Sequence, residues 1–340
     1  MFSNPLSQNN FSDPFITYDK KTGYYYFLAS CQCNQLTMYR SKTVGDILTG
    51  GESSVVYECG GNGIFGPMWA PEMYKIGDHW YIYTSCRDHW EDNLFAVRKQ
   101  PLILQSKTED PFDGFVFGSM PDPTIFAIDP SCAVIDGKQY ICYSQVVSGV
   151  QALVIREMLD PLTFTDRFAE IARPTLPWEL AEGYSEYPIN EGAFFIQRGK
   201  RLFIIYSANG CWSDDYCLGV LEHTGGEICD ANNWKKHPEP LFVKGNGVYG
   251  VGHASFFFSP DEKELWCAYH CLLRSNPERV EMDRHTCIQK ISFDEKDYPV
   301  MGAPVGVSKI IPSPSGEILV TNVEIKSRTA VQSCKGAQYA

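Results

Sequence analysis

Short apolar runs separated by turn residues fill the 340-residue chain, and the helical spacing of about 3.6 residues is almost nowhere sustained. One layout recurs five times: a polar residue, an apolar run, a turn holding Gly or Asp, then a second run rich in aromatics. The five copies are 13–30, 70–85, 129–144, 191–207 and 253–270. Their polar anchors Asp13, Glu72, Asp129, Glu191 and His253 follow one another at steps of 59, 57, 62 and 62 residues. After each hairpin the chain has room for two more strands. In the first copy these are 36–41 and 54–58; in the fourth, 216–221 and 240–243. Five units of four short antiparallel strands describe an all-β fold, a five-bladed β-propeller. A pair of β-sandwiches is the competing architecture, but sandwiches do not repeat a hairpin at such even spacing. Blades are expected to start near 13, 70, 129, 191 and 253, in one domain spanning 1–340 whose C-terminal segment closes the ring.

Composition narrows the partners. Aromatics at 14%, with 28 Gly and 21 Pro, suit many strands joined by tight turns. A net charge of −12 argues against nucleic acid and leaves a small neutral or cationic substrate easier to accommodate. No apolar run reaches the roughly 18 residues of a membrane span. Residues 1–10 show neither a basic nor an apolar stretch of a signal peptide. The 13 cysteines are odd in number, and Cys132, Cys142 and Cys267 sit inside apolar runs, as buried free thiols do. Both features point to a cytoplasmic protein. Zinc is not expected, because Cys31/Cys33 and Cys267/Cys271 lack a matching second pair.

In a propeller the first strand of each blade lines the axis, so the anchors form a ring at one mouth of the channel. A purely structural ring would be small or apolar, and grouping ionisable side chains at a partly dry axis costs free energy. Asp-Pro is a common turn former, present here at Asp13, Asp110, Asp122, Asp129 and Asp160. Only Asp13 and Asp129 stand directly before a repeat hairpin. Glu191 precedes Gly192, which permits close backbone approach to a ligand. Glu72 stands in the ring too, either acting on substrate or pairing with a cation to hold its loop. Trp69 offers an indole face to a sugar or to the core. His253 is either a buried structural histidine or, at the axis, a ligand for a metal or an ordered water. Arg284 fits substrate contact or a surface ion pair.

Taken in order, Ser12-Asp13-Pro14, Trp69-Ala70-Pro71-Glu72, Ala127-Ile128-Asp129, Asn190-Glu191-Gly192, Tyr206-Ser207-Ala208, Gly252–Phe256 and Arg284 with Ile288-Gln289-Lys290 resemble glycoside hydrolase family 43 over nearly the whole chain. The resemblance implies inverting hydrolysis, with Asp13 as general base, Glu191 as general acid, and Asp129 raising the acid's pKa and orienting it. It also implies a water or a calcium-like ion near His253 and a substrate-binding role for Arg284. No cofactor is expected for the chemistry itself. Ala193 departs from the pattern, where the family usually has Pro, and so does the Cys- and His-rich surround at 86–90 and 211–215. The roles agree with ring position: blades one and four are two steps apart, leaving room for a sugar and a water, while blade three stands beside blade four.

The stretches 188–220 and 283–293 are most similar to members that release terminal α-L-arabinofuranose, which implies an exo-acting enzyme on arabino-oligosaccharides. A β-xylosidase, a retaining propeller hydrolase and a non-catalytic carbohydrate-binding propeller are the alternatives.

Overall fold

In the computed structural model the described residues are 1–61, 63–87, 99–180, 188–278 and 283–317. They form five four-stranded antiparallel sheets, each ordered as the chain runs, and the first strands follow one another round a closed ring. Blade one is Phe15–Asp19, Tyr24–Leu28, Gln35–Ser41 and Glu52–Glu58; blade two is Phe65–Ile76, His79–Arg87, Lys99–Ser106 and Phe115–Ser119. Blade three is Ala127–Ile135, Lys138–Val147, Val150–Asp160 and Thr163–Ala172. Blade four is Asn190–Arg198, Arg201–Ala208, Cys217–His223 and Trp234–Lys236; blade five is Tyr249–Phe258, Leu265–Leu272, His285–Phe293 and Pro299–Val300. The five-bladed propeller expected from the repeat is therefore observed. Tight hairpin turns set the registers: Asp136 and Gly137 both take positive φ (49° and 77°), as a two-residue turn matched to strand twist requires.

One expectation shifts. The outer strand of blade four is Trp234–Lys236, while the apolar run at 240–243 contributes only a bridge between Phe242 and Leu218. Trp234 wins because its indole is buried and donates to the Ile228 carbonyl (2.8 Å), which anchors the strand at its first residue.

The head of each inner strand has a common irregularity. Asp13, Ala70, Asp129, Gly192 and His253 all adopt left-handed φ, from 44° to 56°. In blades two to five the ladder skips two residues at this point, as a β-bulge does. The residue after the bulge head is Pro14, Pro71, Pro130, Ala193 or Ala254. Pro fits there because it has no N–H to leave unpaired.

The bulges are stitched to the neighbouring blade. Ala70 N–H donates to Ser30 Oγ and His253 N–H to Ser207 Oγ, both at 2.8 Å, and Asp13 N–H donates to His270 Nδ1 at 3.2 Å. These acceptors sit at equivalent places near or just past the ends of second strands, the series Ser30, Ser85, Ser144, Ser207 and His270. Between blades three and four, Ser144 Oγ donates instead to the Asn190 carbonyl (2.7 Å).

Below the bulges the axis is plugged by aromatics. Phe194 lies 6.5 Å from Phe15 and 5.4 Å from Phe256, ring centre to ring centre. Each such buried ring contributes about 1.5–3 kcal/mol. The ring closes through the chain's beginning as well. Asn4 exchanges two 2.9 Å hydrogen bonds with Ile288, Leu6 and Phe11 donate to Thr286 and Arg284, and Phe2–Ser3 pairs with Ile310–Ile311.

Replacing Ser207 with Ala leaves the buried His253 N–H without a partner. We expect Ser207→Ala to lower unfolding free energy by about 1–3 kcal/mol in a denaturant titration. An unchanged midpoint would show that this stitch does not hold the blades.

Candidate active site

Asp13, Asp129 and Glu191 are all buried and gather at the axis. His253 links two of them, its Nδ1 lying 3.4 Å from Asp13 Oδ1 and 3.9 Å from Asp129 Oδ2. Gly192 N–H donates to Asp129 Oδ2 at 3.2 Å, which ties Asp129 to the residue following Glu191. A side chain at Gly192 would be crowded. A Cβ would come within 3.0 Å of His253 Nδ1, on a backbone already at φ 56°. The close approach anticipated for this glycine is to the His253 ring.

Asp13 accepts from Arg284 and Ser30 and has the His270 ring beside it. Arg284 Nη1 stands 3.2 Å from its Oδ1 and His270 Nδ1 3.1 Å from the same oxygen, while Ser30 Oγ donates to Oδ2. Burial by itself would raise this carboxyl, but the Arg284 charge, with His253 and His270, holds it well below the usual range. Asp13 is ionised. His270 is pushed down to about 4 by burial, so its ring is neutral. Arg284, foreseen as a substrate contact, spends Nη1 on Asp13, and its buried Nε makes no hydrogen bond.

The other two carboxyls behave oppositely. Burial pushes Glu191 up to about 7; the Asp13 charge adds to this, while hydrogen bonds from Tyr216 and Gln151 oppose it. Tyr216 OH donates to Oε1 and Gln151 Nε2 to Oε2, each at 2.8 Å. Asp129 is raised well above the ordinary range by burial and by the neighbouring charges of Glu191 and Asp13. One fixed charge thus faces a pair of groups that resist ionising. Such a set can take a proton at one point and deliver one at another.

Glu72 is not in the ring. The bulge head of blade two is Ala70, and Glu72 pairs with Tyr83 two residues further along. Matching by residue type overlooked the bulge, in which Ala70 and Pro71 together face one residue of the partner strand. Buried Glu72 is pushed up to about 8 by desolvation, accepts from Tyr74 OH and pairs with no cation among the described residues. Trp69 is half-buried, with the Lys99 ammonium 3.6 Å from its ring centre, so a cation already occupies one indole face. Of the Cys- and His-rich stretch at 86–90, residues 88–90 lie outside the described residues.

His253 was singled out as a metal or water ligand. Its Nδ1 turns toward two carboxylates, and among the described residues no three His, Cys, Asp or Glu side chains are grouped to hold a metal ion. These residues do not fit a cation held by protein ligands, and no step below uses one.

His270, Tyr216 and Gln151 join the site without standing among the repeat's anchors. His270 had a signal, as the one histidine in a series otherwise of serines. Gln151 lies at the start of a third strand and Tyr216 just before one, where nothing repeats.

An axial set of carboxyls with divided ionisation, in a closed five-bladed propeller, defines an acid–base site. The chain belongs to glycosyl hydrolases family 43, whose family model matches residues 2–299. A Streptomyces avermitilis protein named extracellular exo-α-(1→5)-L-arabinofuranosidase is 30% identical over 321 residues, covering 89% of this chain and 64% of the relative. A Streptomyces chartreusis protein of the same name is 30% identical over 284 residues, 79% of this chain and 82% of the relative. The chain thus spans under two thirds of the first relative's length. Among solved structures, an α-L-arabinofuranosidase from Lactobacillus brevis shares the fold at a TM-score of 0.81 and 24% identity, over 91% of this chain and 98% of that one.

The relatives' extracellular naming overturns the cytoplasmic expectation. That expectation leaned on thiols, which are poor reporters of compartment here. Cys142 and Cys267 are wholly buried, so the fold shields them whatever the redox poise outside.

Tyr216 stabilises the ionised form of Glu191, so Tyr216→Phe should raise the Glu191 pKa further. Carbon-13 NMR titration of the wild-type carboxyl should give a midpoint near the 7 indicated above, and the variant a higher one. A wild-type midpoint at the ordinary ~4.3 would contradict the burial that sets this site.

Proposed function

We propose that the chain is an inverting, exo-acting α-L-arabinofuranosidase that removes terminal arabinofuranose from arabino-oligosaccharides. The observation that carries this reading is the placement of two buried carboxyls at one axis, Asp13 against the Arg284 guanidinium and Glu191 against only a hydroxyl and an amide. The names of the two Streptomyces relatives support the sugar.

Asp13, kept charged by Arg284 and the two histidines, takes a proton from water as the water attacks the anomeric carbon. Glu191 gives its proton to the departing glycosidic oxygen. Asp129 and Glu191 are buried together and each disfavours ionisation of the other, so the pair retains a proton near neutrality. Catalysis needs that proton on Glu191, and the Gly192 N–H on Asp129 Oδ2 favours this by stabilising charge on Asp129.

Rates should fall at low pH as Asp13 protonates, and fall again as pH rises through the Glu191 value of about 7. Asp13→Ala and Glu191→Ala should each cut kcat on an unactivated arabinofuranoside by about 10²–10⁴-fold or more, with unchanged circular dichroism. Product NMR should show the inverted anomer first. Retained sugar binding without turnover would make the chain a binding propeller. A retained anomer would refute inversion, and faster release of xylose than of arabinose would refute the sugar.

A further inference from the structure

Behind Glu191 lies a buried ion pair that the acid–base steps do not use. Glu179 ends the short 3-10 turn Pro177–Glu179 and is fully buried, and Lys236 reaches it from the outer strand of blade four. Lys236 Nζ donates to Oε1 at 2.7 Å and to Oε2 at 2.9 Å. Oε1 also accepts from Tyr206 OH (2.8 Å) and Asn190 Nδ2 (3.0 Å), and Oε2 from the N–H groups of Thr175 and Leu176 (both 2.8 Å). Every acceptor site of the carboxylate is met. Burial would raise Glu179, yet Lys236 and the two N–H groups hold it below its usual value, so the pair is ionic.

An ion pair taken out of water is weak evidence of stabilisation, because the desolvation cost can exceed the Coulombic gain and apolar side chains often do as well. What the pair does hold is Asn190, which is fully buried and immediately precedes Glu191. Asn190 Nδ2 donates to Glu179, and Lys236 Nζ donates to Asn190 Oδ1 at 3.3 Å. The Asn190 carbonyl accepts from Ser144 Oγ of blade three. Fixed by its side chain on one blade and its carbonyl on the next, Asn190 presents Glu191 from a rigid backbone. Tyr216 and Gln151 then fix the Glu191 side chain.

We propose that Glu179 and Lys236 are positioning residues for the acid Glu191, acting through Asn190. The proposal rests on the reading of Glu191 as the acid. A displaced acid matters only where the leaving group needs a proton, so the pair should show itself in leaving-group dependence rather than in binding.

The test compares the wild-type chain with Asn190→Ala and with the charge-free double variant Glu179→Gln/Lys236→Met, on two substrates. One is an arabino-oligosaccharide; the other is a 2,4-dinitrophenyl arabinofuranoside, whose leaving group departs without protonation. A displacement of about 1 Å costs on the order of 10²-fold. Both variants should therefore lose about that much kcat on the oligosaccharide, with KM little changed, and at least about ten-fold less on the dinitrophenyl glycoside. Equal losses on the two substrates would mean that the pair supports only the fold, and would overturn the proposal. If the double variant does not fold, Asn190→Ala decides, since it leaves the ion pair in place and removes only the link. Glu191→Ala, run alongside, separates two failures. Discrimination between leaving groups in Glu191→Ala but not in Asn190→Ala defeats the positioning role. Discrimination in neither defeats the assignment of the acid, and the positioning role with it.

Discussion

The left-handed residue at the head of each inner strand is the constraint on which the rest depends. Four of the five are not glycine, and the left-handed region costs an L-residue about 1–2 kcal/mol. The cost is offset where the freed N–H finds an acceptor on the preceding blade: Ser30 for Ala70, Ser207 for His253, His270 for Asp13. The same bulge therefore makes the blade, joins it to its neighbour and brings the head residue to the axis. Strained backbone is often found at functional sites, and here it is also what closes the ring.

Bringing carboxyls to that axis creates an electrostatic problem, and its solution divides them. The aromatic plug of Phe15, Phe194 and Phe256 keeps the space beneath them apolar, which penalises every charge above it. The cation and the two imidazoles at the centre all face Asp13. Asp13 can thus remain charged, while Asp129, Glu191 and Glu72 are left with hydroxyl, amide and backbone donors and are all raised. Arg284 therefore acts on the acid in two opposed ways: it keeps Asp13 charged, which raises Glu191, while its own charge lowers Glu191.

The propeller was legible in the sequence because each hairpin carries its own apolar alternation and turn, and these recur whatever the surroundings. Asp13, Asp129 and Glu191 were legible for the same reason, since they stand where those hairpins begin. The error at Glu72 shows the limit of matching by residue type. Pro14, Pro71 and Pro130 mark the second bulge position in three blades, and aligning on them places Ala70, not Glu72, with Asp13 and Asp129. Gln151, Tyr216 and Glu179 left no such trace. They stand outside the repeated hairpins, and only the folded arrangement brings them to Glu191 and Asn190.

Departures from the repeat collect on blades four and five. Gly192 replaces the usual bulge head with a residue that can approach His253, and Ala193 and Ala254 stand where the first three blades have Pro. His270 replaces a serine, and its ring lies parallel to Tyr216 at 5.3 Å. Tyr216 in turn is pressed onto Gly252, where a Cβ would come 2.2 Å from its ring. Because Tyr216 donates to Glu191 and His270 contacts Asp13, this stack makes one rigid wall behind both groups. The serine of the other four blades could cap the Asp13 N–H equally well, but it is too small to brace Tyr216.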